Sequence, residues 1–102
     1  MIHVLAIITT QPGMRDTVLS HFRANVPAVL AEEGCIEYGA AVDAAPAPAF
    51  QTPCGPDTFV VIEKWASLEA SKAHAAAPHM ASYAAKTREF IASRALHILS
   101  AV

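Results

Sequence analysis

The chain lacks the usual sequence marks of nucleic-acid, nucleotide and metal binding. Its seven Lys and Arg are scattered from Arg15 to Arg94 and the net charge is −2, so no basic block is available and a nucleic-acid partner is not expected. The two cysteines, Cys35 and Cys54, fit no metal or redox spacing. With only four glycines there is no Gly-rich phosphate loop, no dinucleotide fingerprint and no Ser-His-Asp set. No cofactor motif is present, so no bound cofactor is expected. A length of 102 residues suits one domain spanning 1–102, with no separate cofactor domain. The opening MIHVLAIITT has neither a basic leader nor a run long enough to cross a membrane. A soluble cytoplasmic protein with reduced thiols and no membrane insertion is expected.

What is abundant is apolar surface. Apolar residues make up 54% of the chain, although 22 of them are alanines. The share exceeds the usual value of about 45 to 50%, and the surplus suggests a partner surface.

The patterning gives an order of elements. IHVLAIIT, from Ile2 to Thr9, is apolar in both alternating sets, which predicts a central strand covered on both faces. A Pro-Gly turn follows, then a helix from near Met14 with the stripe Met14, Val18, Phe22, Val26, Val29 and Leu30. Pro27 should kink this helix without ending it, and Gly34 is able to take the left-handed cap conformation. CIEYGAAVD, 35–43, reads as a second strand with Ile36, Tyr38, Ala40 and Val42 on its better-buried face. Ala44 to Pro56 holds four prolines in thirteen residues and is the longest loop. Thr58 to Trp65 alternates Phe59, Val61, Glu63 and Trp65 against Val60, Ile62 and Lys64, a third strand. Ser67 can cap a helix running to about Ala76. After a break at Pro78 a second stripe runs Met80, Tyr83, Ala84, Thr87, Phe90 and Ile91, and Arg94 to Ser100 closes the chain as a fourth strand. The β-α-β-β-α-β order predicts an α+β, ferredoxin-like fold: a four-stranded antiparallel sheet with helices on one face. If the first and third strands are central, the bare face calls for a second copy of the chain, and a symmetric homodimer is the simplest solution.

Candidate chemistry concentrates between Glu63 and Tyr83. Alternation projects Glu63 and Trp65 from one side of the third strand. Glu63 can act as a base or charge-stabilise a histidine, or it is a strand-end carboxylate. Trp65 is a core aromatic or the wall of an aromatic pocket. His74 and His79 stand five apart across Pro78, a spacing unlike helical metal pairs. Either imidazole can accept a proton from a phenol or enol near neutral pH. His3, His21 and His97 have no polar partner nearby in sequence and read as structural or exposed, and no basic neighbour activates Cys54.

VPAVLAEEGCIEY and VVIEKWASLEASKAHAAAPHMASY, with E-E-G-C at 32–35, E-x-W at 63–65 and A-H to H-M across 73–80, make the whole chain resemble the antibiotic biosynthesis monooxygenase domain. The likeness is strongest to its small quinol monooxygenase members of the bacterial cytoplasm. The resemblance implies a homodimeric α+β barrel and oxidation of a hydroquinone or other electron-rich phenol by dioxygen, without metal or flavin. Trp65 matches the strand-end tryptophan of the family, and His74 and His79 match its A-H and P-H-M positions; we take His74 or His79 as base, Glu63 as charge partner, and Trp65, Tyr38, Phe50 and Tyr83 as an aromatic slot, with the loop from Ala44 to Pro56 as a lid. Haem-degrading relatives carry an asparagine in the first strand; this chain has none there. His74 stands near their tryptophan, and Ala84 and Ala85 near their histidine. Isomerases of a phosphorylated autoinducer share the H-x4-H segment, but no basic cluster for a phosphate is evident in the sequence. They remain the alternative enzyme, and a non-catalytic dimeric small-molecule-binding module is the alternative outside enzymes. Such a module would bind its ligand without His74 and His79.

Overall fold

Both-face apolarity and β-branching draw the N-terminal segment into strand β1, Ile2–Thr10. The computed structural model, which describes residues 1–102, continues with helix α1, Arg15–Leu30, strand β2, Cys35–Ala41, and strand β3, Thr58–Trp65. Two helices follow, α2 over Leu68–Ala75 and α3 over Pro78–Thr87, then a short 3₁₀ turn at Arg88–Phe90 and strand β4, Ile91–Ser100. The strands are antiparallel and ordered β2-β3-β1-β4. The expected α+β ferredoxin-like plan is therefore present with β1 and β3 central, and the second helical region divides into two helices at Pro78. No helix is long and apolar enough to cross a membrane.

Register sorts the two sheet faces. Val4, Ala6, Phe59, Val61 and Trp65 are buried with Val18, Leu19, Phe22 and Val29 of α1, as one-sided cover by helices requires. Leu5, Ile7, Val60, Ile62 and Leu99 alternate onto the opposite face, which carries no helix; Ile62 and Leu99 are exposed there.

Four expectations change. The α1 stripe ends at Val29, and Leu30 is exposed. In β2 the register shifts between Cys35 and Glu37. The extra residue, Ile36, is left exposed, whereas Tyr38 pairs with Glu63 and is buried. Val42 and Asp43 lie beyond the strand: Asp43 instead accepts hydrogen bonds from the Cys54 and Gly55 amides, each 2.9 Å, and so organises the proline loop. These bonds hold the Asp43 carboxyl below its ordinary range. Finally, Phe90 and Ile91 do not extend the helix. The Thr87 hydroxyl donates back to the Tyr83 carbonyl at 2.9 Å, and Ile91 pairs with Thr10 after a register shift at the end of β1, so β4 begins three residues earlier than patterning suggests.

Ser67 caps α2 as expected, its hydroxyl accepting from the Ala70 amide at 3.1 Å. Gly34 has φ +81°, and a Cβ there would lie 2.7 Å from the Cβ of Ala70. Its carbonyl accepts from the Ala66 amide at 2.8 Å. Glycine thus lets the turn after α1 press against the start of α2, which sets the position of Glu32. Gly34→Ala is expected to cost about 2 to 4 kcal/mol, from left-handed backbone strain plus the collision. A urea unfolding midpoint unchanged from the parent would contradict this.

Candidate functional site

Between the helix-covered face of the sheet and helices α2 and α3 lies a cavity of about 690 Å³. Its floor is Val4, Ala6, Val61, Leu96 and Ile98, its roof includes Met80, Ala81 and Ala84, and Phe22 closes one side. Polar groups enter this apolar space at few points, the usual make-up of a small-molecule site. Glu63, Tyr38 and His74 supply one group of them.

His74 is held from both sides. Glu63 and Tyr38 are cross-strand partners on β3 and β2, and His74 reaches them from α2. Its Nδ1 donates to Glu32 Oε2 at 2.8 Å; its Nε2 lies 3.9 Å from Glu63 Oε1. The Trp65 ring sits against the imidazole with centroids 4.8 Å apart, and Tyr38 meets it edge-on at 5.4 Å. Because Glu32 fixes the Nδ1–H tautomer, Nε2 is the free, basic nitrogen on the Glu63 side. His79 Nε2 donates to the same Glu32 oxygen at 3.1 Å, and its Nδ1 is buried without a partner.

Glu63 is almost fully buried. Burial pushes its carboxyl above the ordinary range, against the opposite pull of the Trp65 indole N–H, which donates to Oε1 at 2.9 Å, and of His74. Burial, reinforced by the Glu63 charge, also raises the Tyr38 phenol, which stays neutral and keeps its proton. Burial and the Glu32 and Glu63 charges likewise push the Cys35 thiol up, leaving it a poor nucleophile.

Of the residues singled out in sequence, Glu63, His74, Tyr38 and Tyr83 line the cavity. Trp65 does not: it is fully buried behind Glu63 and His74, because its β3 position packs it into the core, so it supports the site and is not a wall of the slot. Phe50 is 90% exposed and no residue of the 44–56 loop lines the cavity, so neither Phe50 as a slot residue nor the loop as a lid fits the geometry of the chain. Asp43 ties that loop at its base, away from the cavity. His79 faces a separate recess of about 280 Å³ shared with His21, Asn25 and Lys86, which favours His74 as the base. Glu63 is not the nearest charge partner of His74; Glu32 is.

Sequence reasoning used Glu32 only within the E-E-G-C run at 32–35 and gave it no role in the site. The signal was the Gly34 that follows it, a left-handed residue able to approach another helix. Lys72, Arg88 and Arg94, scattered in the sequence and exposed in the structure, all line the cavity, and none is paired with a carboxylate.

The antibiotic biosynthesis monooxygenase family model matches residues 1–86. The chain is 40% identical over 101 residues to the Escherichia coli protein named "Probable quinol monooxygenase YgiN", covering 97% of this chain and 96% of that one. The Shigella flexneri protein of the same name matches equally. Among solved structures, one titled as an antibiotic biosynthesis monooxygenase superposes with a TM-score of 0.81 at 25% identity, covering 100% of this chain and 99% of that one. A Pseudomonas aeruginosa protein shares the fold with a TM-score of 0.81 at 22% identity, over 99% of this chain and 93% of that one. The protein belongs to the antibiotic biosynthesis monooxygenase family.

Proposed function

We propose that the protein is a soluble, cytoplasmic, homodimeric monooxygenase that oxidises a hydroquinone or other electron-rich phenol with dioxygen and needs no bound cofactor. The observation that carries this reading is the His74 arrangement: Nδ1 held by Glu32 at 2.8 Å, Nε2 free beside Glu63 on a cavity lined mostly by apolar side chains. A phenol bound there gives its proton to Nε2, and the Glu32 and Glu63 carboxylates on either side of the ring stabilise the imidazolium that forms. The ionised substrate is itself the reductant and gives an electron to dioxygen, so the chain supplies a base, an apolar slot and exclusion of water. The family membership and the name of the 40% identical relative support the same chemistry. The homodimer reading rests on the uncovered face of Leu5, Ile7, Val60, Ile62 and Leu99, since a sheet face this apolar is stabilised by a symmetric copy.

Purified, metal-free protein is expected to accelerate oxygen uptake with reduced naphthoquinones. An oxygen-electrode trace no faster than autoxidation across several hydroquinones would remove the oxidation reading. A second reading, isomerisation of a phosphorylated metabolite, is favoured by Lys72, Arg88 and Arg94 on the cavity; it predicts turnover without oxygen uptake.

A further inference from the structure

The oxidation reading identifies the reacting end of the cavity, and resting on it we infer that the substrate is an aromatic bearing an oxyanion group, a carboxylate by preference, on the end remote from its reacting hydroxyl. Register measures the separation. Glu63, Val4 and Ile98 share one row across β3, β1 and β4, and Phe59, Ile8 and Arg94 share another, four residues further along each strand. At about 3.3 Å per residue these rows are about 13 Å apart. Arg88 directly follows α3 at the same end as Arg94, beside the pairing of Ile91 with Thr10.

The cavity therefore has an acid-histidine end and a guanidinium end, with Ala6, Val61 and Leu96 between them. Arg94 is exposed but lines the cavity. Along β4 it occupies the cavity-facing register with Leu96 and Ile98, whereas Ala95, His97 and Leu99 face the other way. Neither guanidinium is paired with a carboxylate of the chain, and Arg94 is close enough to Tyr83 for its charge to act on the phenol. A planar, unpaired guanidinium at the end of an apolar slot recognises a carboxylate through two parallel hydrogen bonds. Arginine reach and a fused two-ring skeleton together span the gap between rows.

Two probes test this without requiring turnover: 6-hydroxy-2-naphthoate and 2-naphthol, titrated into the full-length protein at low salt by calorimetry. The naphthoate is expected to bind at least tenfold tighter, with the advantage shrinking at high salt. In the Arg88→Gln, Arg94→Gln double variant the ratio of the two affinities should fall to near one, and Arg94→Lys should retain part of it. A ratio is not moved by a general loss of folded protein. Equal affinities in the parent, no binding of either probe, or a full advantage retained in the double variant would overturn the proposal. Its failure is distinguishable from failure of the oxidation reading: hydroquinone turnover without a carboxylate advantage removes only the anion site, and a carboxylate advantage without oxygen uptake removes only the oxidation.

Discussion

Replacing Glu63 by glutamine should lower the rate of hydroquinone oxidation by about 100-fold or more, the scale of losing one partner in proton transfer, and should not destabilise the fold. The two effects separate because of where the carboxylate sits. Glutamine keeps an oxygen to accept from the Trp65 indole and fits the same space, but it cannot stabilise an imidazolium on His74. The sign of the stability effect follows from the direction of the shift. Burial raises the Glu63 carboxyl in the folded chain, so the folded state holds that proton more tightly than the unfolded state does. Stability is then greatest below the unfolded value of about 4.3 and falls as pH rises toward the raised folded value. Thermal melts of the parent should show this contribution as pH increases, and Glu63→Gln should lack it and be at least as stable at neutral pH. A variant that keeps full activity, or that loses activity only by unfolding, would contradict the assignment.

Ile62→Lys is expected to give a monomer. Ile62 lies in central strand β3, with Leu5 of β1 and Gly39 of β2 as its register neighbours, and it points away from the helices. Two-fold symmetry across this face would bring two new ammonium groups into one apolar contact, each desolvated without a partner, a cost of several kcal/mol. That corresponds to a weakening of association by about a thousandfold or more. Light scattering at micromolar concentration should read a dimer for the parent and a monomer for the variant. A monomeric parent would remove the dimer proposal, and a dimeric variant would move the interface elsewhere.

The parts of the molecule that sequence alone made legible are those set by local alternation. β1 and β3, the two strands apolar on both sides, are the central ones, and Glu63 and Trp65 share a side because they are two residues apart on one strand. The helix stripe that ran on to Ile91 misled because a period of 3.6 does not register the Thr87 back-bond or the demand of Thr10 for a strand partner. Glu32 was missed for a different reason. Its role depends on a residue 42 positions away and on Gly34 permitting close approach to α2, neither of which leaves a periodic mark. Arg88 and Arg94 are scattered in the chain, and only the fold shows that both line the cavity. Phe50 was placed in the slot by its aromaticity alone, and nothing in the loop around it specified a direction.

The central claim is that His74 and Glu63 receive the hydroxyl of a planar aromatic bound between the sheet and helices α2 and α3. A crystal structure of the protein with a slowly oxidised hydroquinone, grown without oxygen, tests it most directly. The predicted result is a ring lying between Met80 and Leu96, with one hydroxyl within about 3.2 Å of His74 Nε2. A hydroquinone seated instead in the recess beside His79 and Lys86, or with no hydroxyl in reach of His74 or Glu63, would contradict it.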